Sequence, residues 1–424
     1  MKTTKKYVVA HPMQQHSYRT AAAFAKTGQL DAYITTVYYN KDKFLYKLLA
    51  WVIGKDNVRR MSGKRLDDDS IHVVQYCELL GLIYLFLIRV DKKKYILPWV
   101  YLFLTWCFGK KVANYCNKHN IDAVIMYDTT AKYTFEHIKS KTQKIKCVLD
   151  MSSIPAYEIC NIIESEIEKS GKLLNSMSMC LRLKTAKVLR KNSISEIEYA
   201  DAILCGSTYP EEVIKRNYRN KKIYVIPYGV DCEKFMSGKR KPVTNRVIRF
   251  LFVGGVEATK GIGYLLDAFK KINTDEAELI LVGDFGYGKH EVKCQSNIKI
   301  KGFVVRTEMP KVYQQADVYI IPSLYEGFSQ SLIEAMSSGL PVIATNCSGA
   351  KLVVRDYENG FIIPAGNADE ITNKMRWYIQ HRSKIEVMGN CARKSVAGLT
   401  WKRYEQKIRA ALKEIICDET DTIY

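Results

Sequence analysis

The chain has 424 residues, 47% hydrophobic and 26% charged, with 24 Gly and 10 Pro. That composition excludes disordered, collagen-like and low-complexity polypeptides and leaves a globular protein of two or three domains. The formal net charge is +21, and it is uneven: residues 1–245 hold 41 Lys and Arg against 23 Asp and Glu, whereas residues 246–424 hold 24 against 21. An acidic small ligand in a cleft does not need so much positive charge spread over one half; a surface that meets an anionic sheet or polymer does.

The first 150 residues alternate short apolar runs with helical patterns. Tyr7–Ala10 reads as a strand, 17–27 as a helix, 32–37 as a strand, Ala123–Tyr127 as a short buried strand, 131–139 as a helix and 147–149 as a strand ending at Asp150. The apolar stretch before His11 is too short for the core of a signal peptide. Between these elements lie two apolar runs, 79–88 and 95–108, separated by Arg89-Val90-Asp91-Lys92-Lys93-Lys94. Both are shorter than the roughly 20 residues a spanning helix needs, so they predict either a pair of core helices or an interfacial segment. Trp51, Trp99 and Trp106 lie in this region with Arg59, Arg60, Lys64, Arg65, Arg89, Lys92, Lys93, Lys94, Lys110 and Lys111 nearby. Amphipathic aromatics beside basic clusters suit the headgroup layer of an anionic membrane. Asp67-Asp68-Asp69 follows no strand and reads as a solvated loop, so no metal is assigned to it.

Residues 151–200 are polar and helical, with Glu158, Glu164, Glu166 and Glu168 expected on a solvated face. Ala202–Cys205 and 223–226 read as buried strands, and 236–246 as a Gly/Lys/Pro-rich linker. A second alternating series follows: strands at Ile248–Val253, 279–282, 298–301, Val318–Ile321, 342–344 and Gly360–Ile363, helices at 261–271, 309–315 and 329–338, and helices from Asp369 onward. Strand–helix alternation in both halves predicts an α/β protein with two Rossmann-like parallel sheets, whose ligands bind at the C-terminal ends of the strands. The twelve cysteines are scattered with no CxxC or Cys/His spacing, so free thiols in a reducing compartment are expected.

The chemistry concentrates in residues 322–346, PSLYEGFSQSLIEAMSSGLPVIATN. A strand ends at Pro322, Glu326-Gly327-Phe328 forms a turn, and a helix starts near Ser329. The backbone N–H groups at that start, together with the helix dipole, suit an anion. A carboxylate in the turn, Glu326, is placed to face a sugar ring, and one on the helix, Glu334, to accept from ribose hydroxyls. Each also has a plainer reading: Glu326 as a carboxylate that only complements the dipole, Glu334 as a solvated helix residue, Lys260 as a surface lysine. His16 reads equally as a helix-start residue and Asp128 as a helix cap.

Glu326 and Glu334, followed by Gly-Phe and Ala-Met respectively, resemble the E-x7-E signature of the retaining family-four glycosyltransferases, the glycosyl transferases group one. Upstream, Val253-Gly254-Gly255 through Lys260-Gly261 resembles that family's first strand and basic loop, Leu281-Val282-Gly283-Asp284 its Gly-containing strand end, and Gly302-Phe303-Val304 the loop beneath the nucleobase. Tyr199-Ala200-Asp201-Ala202 with Ser207, and Ile226-Pro227-Tyr228-Gly229-Val230-Asp231 with Phe235, resemble the segment before its interdomain linker. The resemblance covers about residues 195–366. It implies a GT-B fold with two Rossmann-like domains facing a cleft: 1–240 for the acceptor, 241–400 for the nucleotide sugar, and a C-terminal helix at 401–424 packing back on the first domain.

It also implies Glu326 and Lys260 as catalytic, and donor contacts from Gly255, Val304, Gly327, Phe328, Ser329, Gln330, Ser331, Leu332 and Glu334. No metal or other cofactor is expected, because a diphosphate clamped by fixed positive charge is already a good leaving group. Three departures stand out. Gly255 occupies a position where many members carry arginine. The loop His11-Pro12-Met13-Gln14-Gln15-His16-Ser17 has no glycine pair. Tyr127-Asp128 stands where many carry histidine. His16, Tyr127 and Asp128 are accordingly the candidates for the acceptor side. The expected partners are a nucleotide sugar, a glycan or lipid-linked acceptor of cell-surface polysaccharide synthesis and an anionic membrane, with no nucleic acid. The expected location is the cytoplasmic, inner face of the cell membrane. Two other classes stay open, a sugar-nucleotide epimerase on the same fold and a non-enzymatic polyanion binder; donor turnover without acceptor marks the first, and salt-sensitive binding to arbitrary nucleic acid the second.

Overall fold

Buried parallel strands read as near-continuous apolar runs because both faces are covered by helices, and such runs form the central strands of the two sheets of this chain. The computed structural model describes residues 5–13, 16–38, 71–91, 95–170, 185–236, 246–272, 275–284 and 296–417. The linker at 236–246 therefore lies almost wholly outside the described residues, as do Trp51, Arg59, Arg60, Lys64, Arg65, Asp67-Asp68-Asp69 and Lys92-Lys93-Lys94. The chain divides into two compact units, one of residues 1–150, 187–204 and 405–424, the other of 151–186 and 205–404.

The first sheet contains β1 (Tyr7–Ala10), β2 (Leu30–Thr35), β3 (Val73–Gln75), β4 (Ala123–Tyr127), β5 (Lys146–Met151), β6 (Ala202–Cys205) and β7 (Ile223–Val225), in the order β3-β2-β1-β4-β5-β6-β7. The pairings of β1 with β2 and β4, of β2 with β3 and of β4 with β5 are parallel. The second sheet contains β8 (Ile248–Val253), β9 (Ala277–Val282), β10 (Ile298–Gly302), β11 (Val318–Ile321), β12 (Val342–Thr345) and β13 (Gly360–Ile363), in the order β10-β9-β8-β11-β12-β13, parallel throughout. In each sheet the chain steps outward from the first strand in one direction and then resumes on its other side. The reversal leaves a crevice at the C-terminal ends of β1 and β4 in one sheet, and of β8 and β11 in the other. Ligands of open α/β sheets bind at such switch points.

The core of the second unit is built from Phe250, Phe252, Leu279, Leu281, Ile320 and Ile343 on the strands, with Leu265, Phe269, Met375 and Tyr378 from the covering helices. Ten described cysteines are free thiols. Four features differ from the expectations. The strand expected to be buried at 223–226 is β7, which is half-buried along its three residues. β3 is a half-buried strand of three residues, too short and too exposed to show as an apolar run. Glu166 is 5% exposed rather than solvated, because its carboxylate accepts the Tyr264 hydroxyl at 2.5 Å on the inner face of helix Ala156–Ser170. The two apolar runs form helices Glu78–Val90 and Leu97–Lys118, and these are not wholly core. The second buries Leu97, Leu104, Phe108 and Val112 but exposes Trp99, Phe103 and Trp106. No described helix is long and apolar enough to cross a membrane.

Candidate active site

Two loops converge at the switch point of the second sheet. The loop after β8 ends in a 3-10 turn, Ala258–Lys260, and Gly261, whose φ of 70° lies in the left-handed region. A Cβ at Gly261 would stand 1.9 Å from the Pro322 carbonyl oxygen, so only glycine lets the two loops approach this closely. The Leu324 N–H donates to the Thr259 carbonyl at 3.0 Å, and the Glu326 N–H to the Cys347 carbonyl at 2.8 Å, which ties the turn to the loops on either side.

This junction brings together two of the charged residues singled out in the sequence. Lys260 Nζ lies 2.5 Å from Glu326 Oε1, and Ser323 donates to the same oxygen at 3.0 Å. Burial pulls the Lys260 ammonium down, but the Glu326 charge and hydrogen bond, with Glu257 adding, outweigh it and hold the pKa above the usual lysine value. The pair is thus a lysine kept cationic beside a carboxylate at the mouth of a sheet. The side chains keep 28% and 17% exposure, which leaves both within reach of a ligand.

Glu334 belongs to a different pole. It sits inside helix Gln330–Ser337, 8% exposed, where Oε2 accepts the Tyr313 hydroxyl at 3.0 Å. Burial raises its pKa, and the Tyr313 hydrogen bond and the charges of Arg306 and Lys234 offset part of the rise. Ser329 holds the N-cap position without a side-chain cap bond. Its hydroxyl lies 3.1 Å from that of Ser331, which accepts the Tyr319 hydroxyl at 2.7 Å. Gln330 donates to the Gly229 carbonyl at 2.8 Å. Phe328 and Leu332 are buried, and Gly327 accepts the Ser207 hydroxyl through its carbonyl. Gly255 and Val304 are half-buried in the loops after β8 and β10. Tyr313 and Tyr319 carry no signal in the sequence; only the fold places the hydroxyls of Ser323, Tyr313 and Tyr319 against Glu326, Glu334 and Ser331.

The switch point of the first sheet holds a second cluster. His16 Nε2 lies 2.9 Å from Asp150 Oδ2, at the end of β5. Both His16 and the buried His11 set their rings edge-on to Tyr127, with centroids 5.0 and 5.2 Å away. His11 Nδ1 accepts the Met13 N–H at 2.8 Å, and burial, with His16 adding, pushes its pKa down to about 3. Tyr127 is fully buried and donates its hydroxyl to Thr20 at 3.0 Å. Asp128 is 8% exposed, and the N-cap position of the following helix, Lys132–Lys139, falls to Ala131, whose side chain makes no cap bond. Glu196 takes that role: its carboxylate accepts the N–H groups of Thr129, Ala131 and Lys132 at 3.0, 2.9 and 3.3 Å. Asp150, His11 and Glu196 are the members of this cluster that a reading of the sequence leaves out.

Two parallel sheets with this strand order define a GT-B protein. The architecture is shared with a sucrose-phosphate synthase from Thermosynechococcus elongatus, at TM-score 0.70 and 15% identity over 98% of this chain and 100% of that one. It is shared as well with HepE from Anabaena, solved in complex with UDP, at TM-score 0.60 and 16% identity over 97% and 100%. Residues 237–395 match the family model described as "Glycosyl transferases group 1". Among curated relatives, a UDP-Gal:alpha-D-GlcNAc-diphosphoundecaprenol alpha-1,3-galactosyltransferase of Escherichia coli is 28% identical over 226 residues, 49% of this chain and 58% of that one. A capsular polysaccharide biosynthesis glycosyltransferase of Staphylococcus aureus is 25% identical over 278 residues, 55% and 71%. This chain thus spans little more than half the length of the first of these relatives.

Proposed function

We propose that the chain is a retaining glycosyltransferase that moves a hexose from a nucleotide-diphosphate sugar to a lipid-linked glycan at an anionic membrane surface. The observation that carries the reading is the Lys260–Glu326 pair at the β8/β11 switch point, beside the start of helix Gln330–Ser337. As the glycosidic bond to the diphosphate breaks, negative charge grows on the leaving oxygen and positive charge on the sugar ring. Lys260 and the N–H groups at the helix start offer fixed positive potential to the diphosphate, and Glu326 offers an acceptor and a negative field to the sugar. Each charge satisfies the other; a donor carrying both a diphosphate and a hydroxyl-rich ring replaces both partners at once. No metal enters this scheme. Glu334, held by Tyr313, is assigned to the ribose. His16, Asp128 and Asp150 are assigned to the acceptor side, with Tyr127 as the buried ring against which His16 rests.

The lipid reading rests on the two apolar helices. Leu79, Ile83, Phe86 and Val90 are exposed at helical spacing on one, and Trp99, Phe103 and Trp106 on the other, with Lys110 Nζ 4.0 Å over the Trp106 ring. Apolar stripes flanked by lysine suit shallow insertion into an anionic leaflet. The relatives fit: one acts on a diphosphoundecaprenol-linked sugar, another in capsular polysaccharide biosynthesis. A thermal-shift series with UDP-, GDP-, ADP- and dTDP-sugars tests the donor site. Ligand at 100 times its Kd stabilises the correct complex by about 2.7 kcal/mol, and no response to any of them removes the assignment. Retention of the anomeric configuration is read from the product by NMR.

A further inference from the structure

The loop after β4 does not adopt a conformation its own sequence prefers. Thr129 has a φ of 69°, the left-handed region, which is unusual for a β-branched residue and persists only where the surroundings over-determine it. Two side chains from distant parts of the sequence do so. Glu196, 2% exposed, takes the N–H groups of Thr129, Ala131 and Lys132. Tyr101 places its hydroxyl 2.7 Å from the Thr129 hydroxyl. The Asp128 N–H donates to the Asp150 carbonyl at 3.2 Å, which anchors the start of the loop to β5. Tyr101 lies on helix Leu97–Lys118 between the exposed Trp99 and Phe103, and its ring centroid is 5.5 Å from that of Tyr84 on the neighbouring apolar helix. Both helices that carry the exposed stripes therefore bear on Tyr101, whose hydroxyl reaches the switch-point loop.

We propose that Tyr101 and Glu196 are positioning residues for the loop at 128–131, and that through Tyr101 a lipid surface governs how that loop is held. Glu196 is the fixed anchor, buried away from any surface. Tyr101 is the variable one, because its helix presents its outer stripe to whatever covers it. Insertion of Trp99, Phe103 and Trp106 into a leaflet favours the helix placement that fits the lipid, and the Thr129 hydroxyl follows the Tyr101 hydroxyl. A surface shifts such an equilibrium only by its differential affinity for the two placements, so the effect requires the stripe to be engaged. The inference rests on the lipid reading above and adds to it a route from the membrane to the acceptor side of the site.

The test is hydrogen–deuterium exchange of the segment 127–133 in the full chain, with and without phosphatidylglycerol vesicles, alongside flotation of the same samples. In the wild type, vesicles slow exchange at the amides of Thr129, Ala131 and Lys132 by about threefold or more. Tyr101→Phe floats as the wild type does but loses the response to vesicles. Thr129→Ser, which keeps the hydroxyl, retains the response. Glu196→Gln speeds exchange in the segment whether or not vesicles are present. A purely structural Tyr101 would not make exchange depend on lipid. Flotation with unchanged exchange, or a full response in Tyr101→Phe, overturns the relay and leaves the lipid reading standing. Absence of flotation at low salt overturns the lipid reading and the relay with it.

Discussion

Lys260 and Glu326 pair with each other at a partly exposed strand end rather than in the core, so their loss should fall on turnover rather than on folding. Lys260→Ala and Glu326→Gln are each expected to lower the transfer rate by about 10²–10³, by analogy with removal of one preorganised oxyanion donor, while the melting temperature moves little. Near-wild-type transfer by purified Glu326→Gln would remove it from the mechanism. Glu334 makes the opposite case. A ribose contact is equal in ground and transition states, so Glu334→Ala is expected to raise KM for the donor with kcat nearly kept; a fall in kcat at constant KM would instead place Glu334 at the reacting sugar. His11 bears on stability. Its folded pKa of about 3 lies below the ordinary histidine value of about 6.5. The unfolded chain therefore binds a proton first as the pH falls. The stability from the neutral ring is complete above about 6.5 and is lost at up to about 1.4 kcal/mol per pH unit down to about 3. His16 and Tyr127 face the ring. His11→Gln, which can still accept the Met13 N–H, should flatten that slope in acid denaturation curves; an unchanged slope would assign it to other groups.

At the scale of elements, the strands show which signals are local. β1, β4, β6, β8, β11 and β13 are legible to the residue, because a strand covered on both faces has no reason to interrupt its apolar run. β3 is illegible for the converse reason. The helices Glu78–Val90 and Leu97–Lys118 are legible as helices but not in their exposure: an apolar run of 10–14 residues fits a core helix and an interfacial one equally well. Only packing leaves Trp99, Phe103 and Trp106 outside and Leu104, Phe108 and Val112 inside. Replacing Trp99 and Trp106 together by Ser should reduce binding to anionic vesicles without altering the thermal response to nucleotide. Flotation at low and high salt measures it. Each Lys or Arg near the surface contributes about 1 kcal/mol that salt screens, and the remainder should depend on the tryptophans. Unchanged binding by the double variant would move the contact elsewhere.

At the scale of the molecule, the sequence alone determined what depends on neighbours along the chain. The alternation of strands and helices, the glycines at close turns, the Glu326 turn and the excess of positive charge in the first half are all local or summed quantities, and the two-sheet class follows from them. The tertiary structure decided what depends on residues far apart. Lys260 meets Glu326 across 66 positions because β8 and β11 are neighbours in the sheet. Tyr313 meets Glu334, and Glu196 meets the loop after β4, with no trace of either in the local pattern. Glu166, one of four glutamates on a helix that looks solvated, is buried because Tyr264 lies opposite it. A buried carboxylate is tolerated only where donors converge on it, and convergence is set by strand order and helix packing, which no window of the sequence contains.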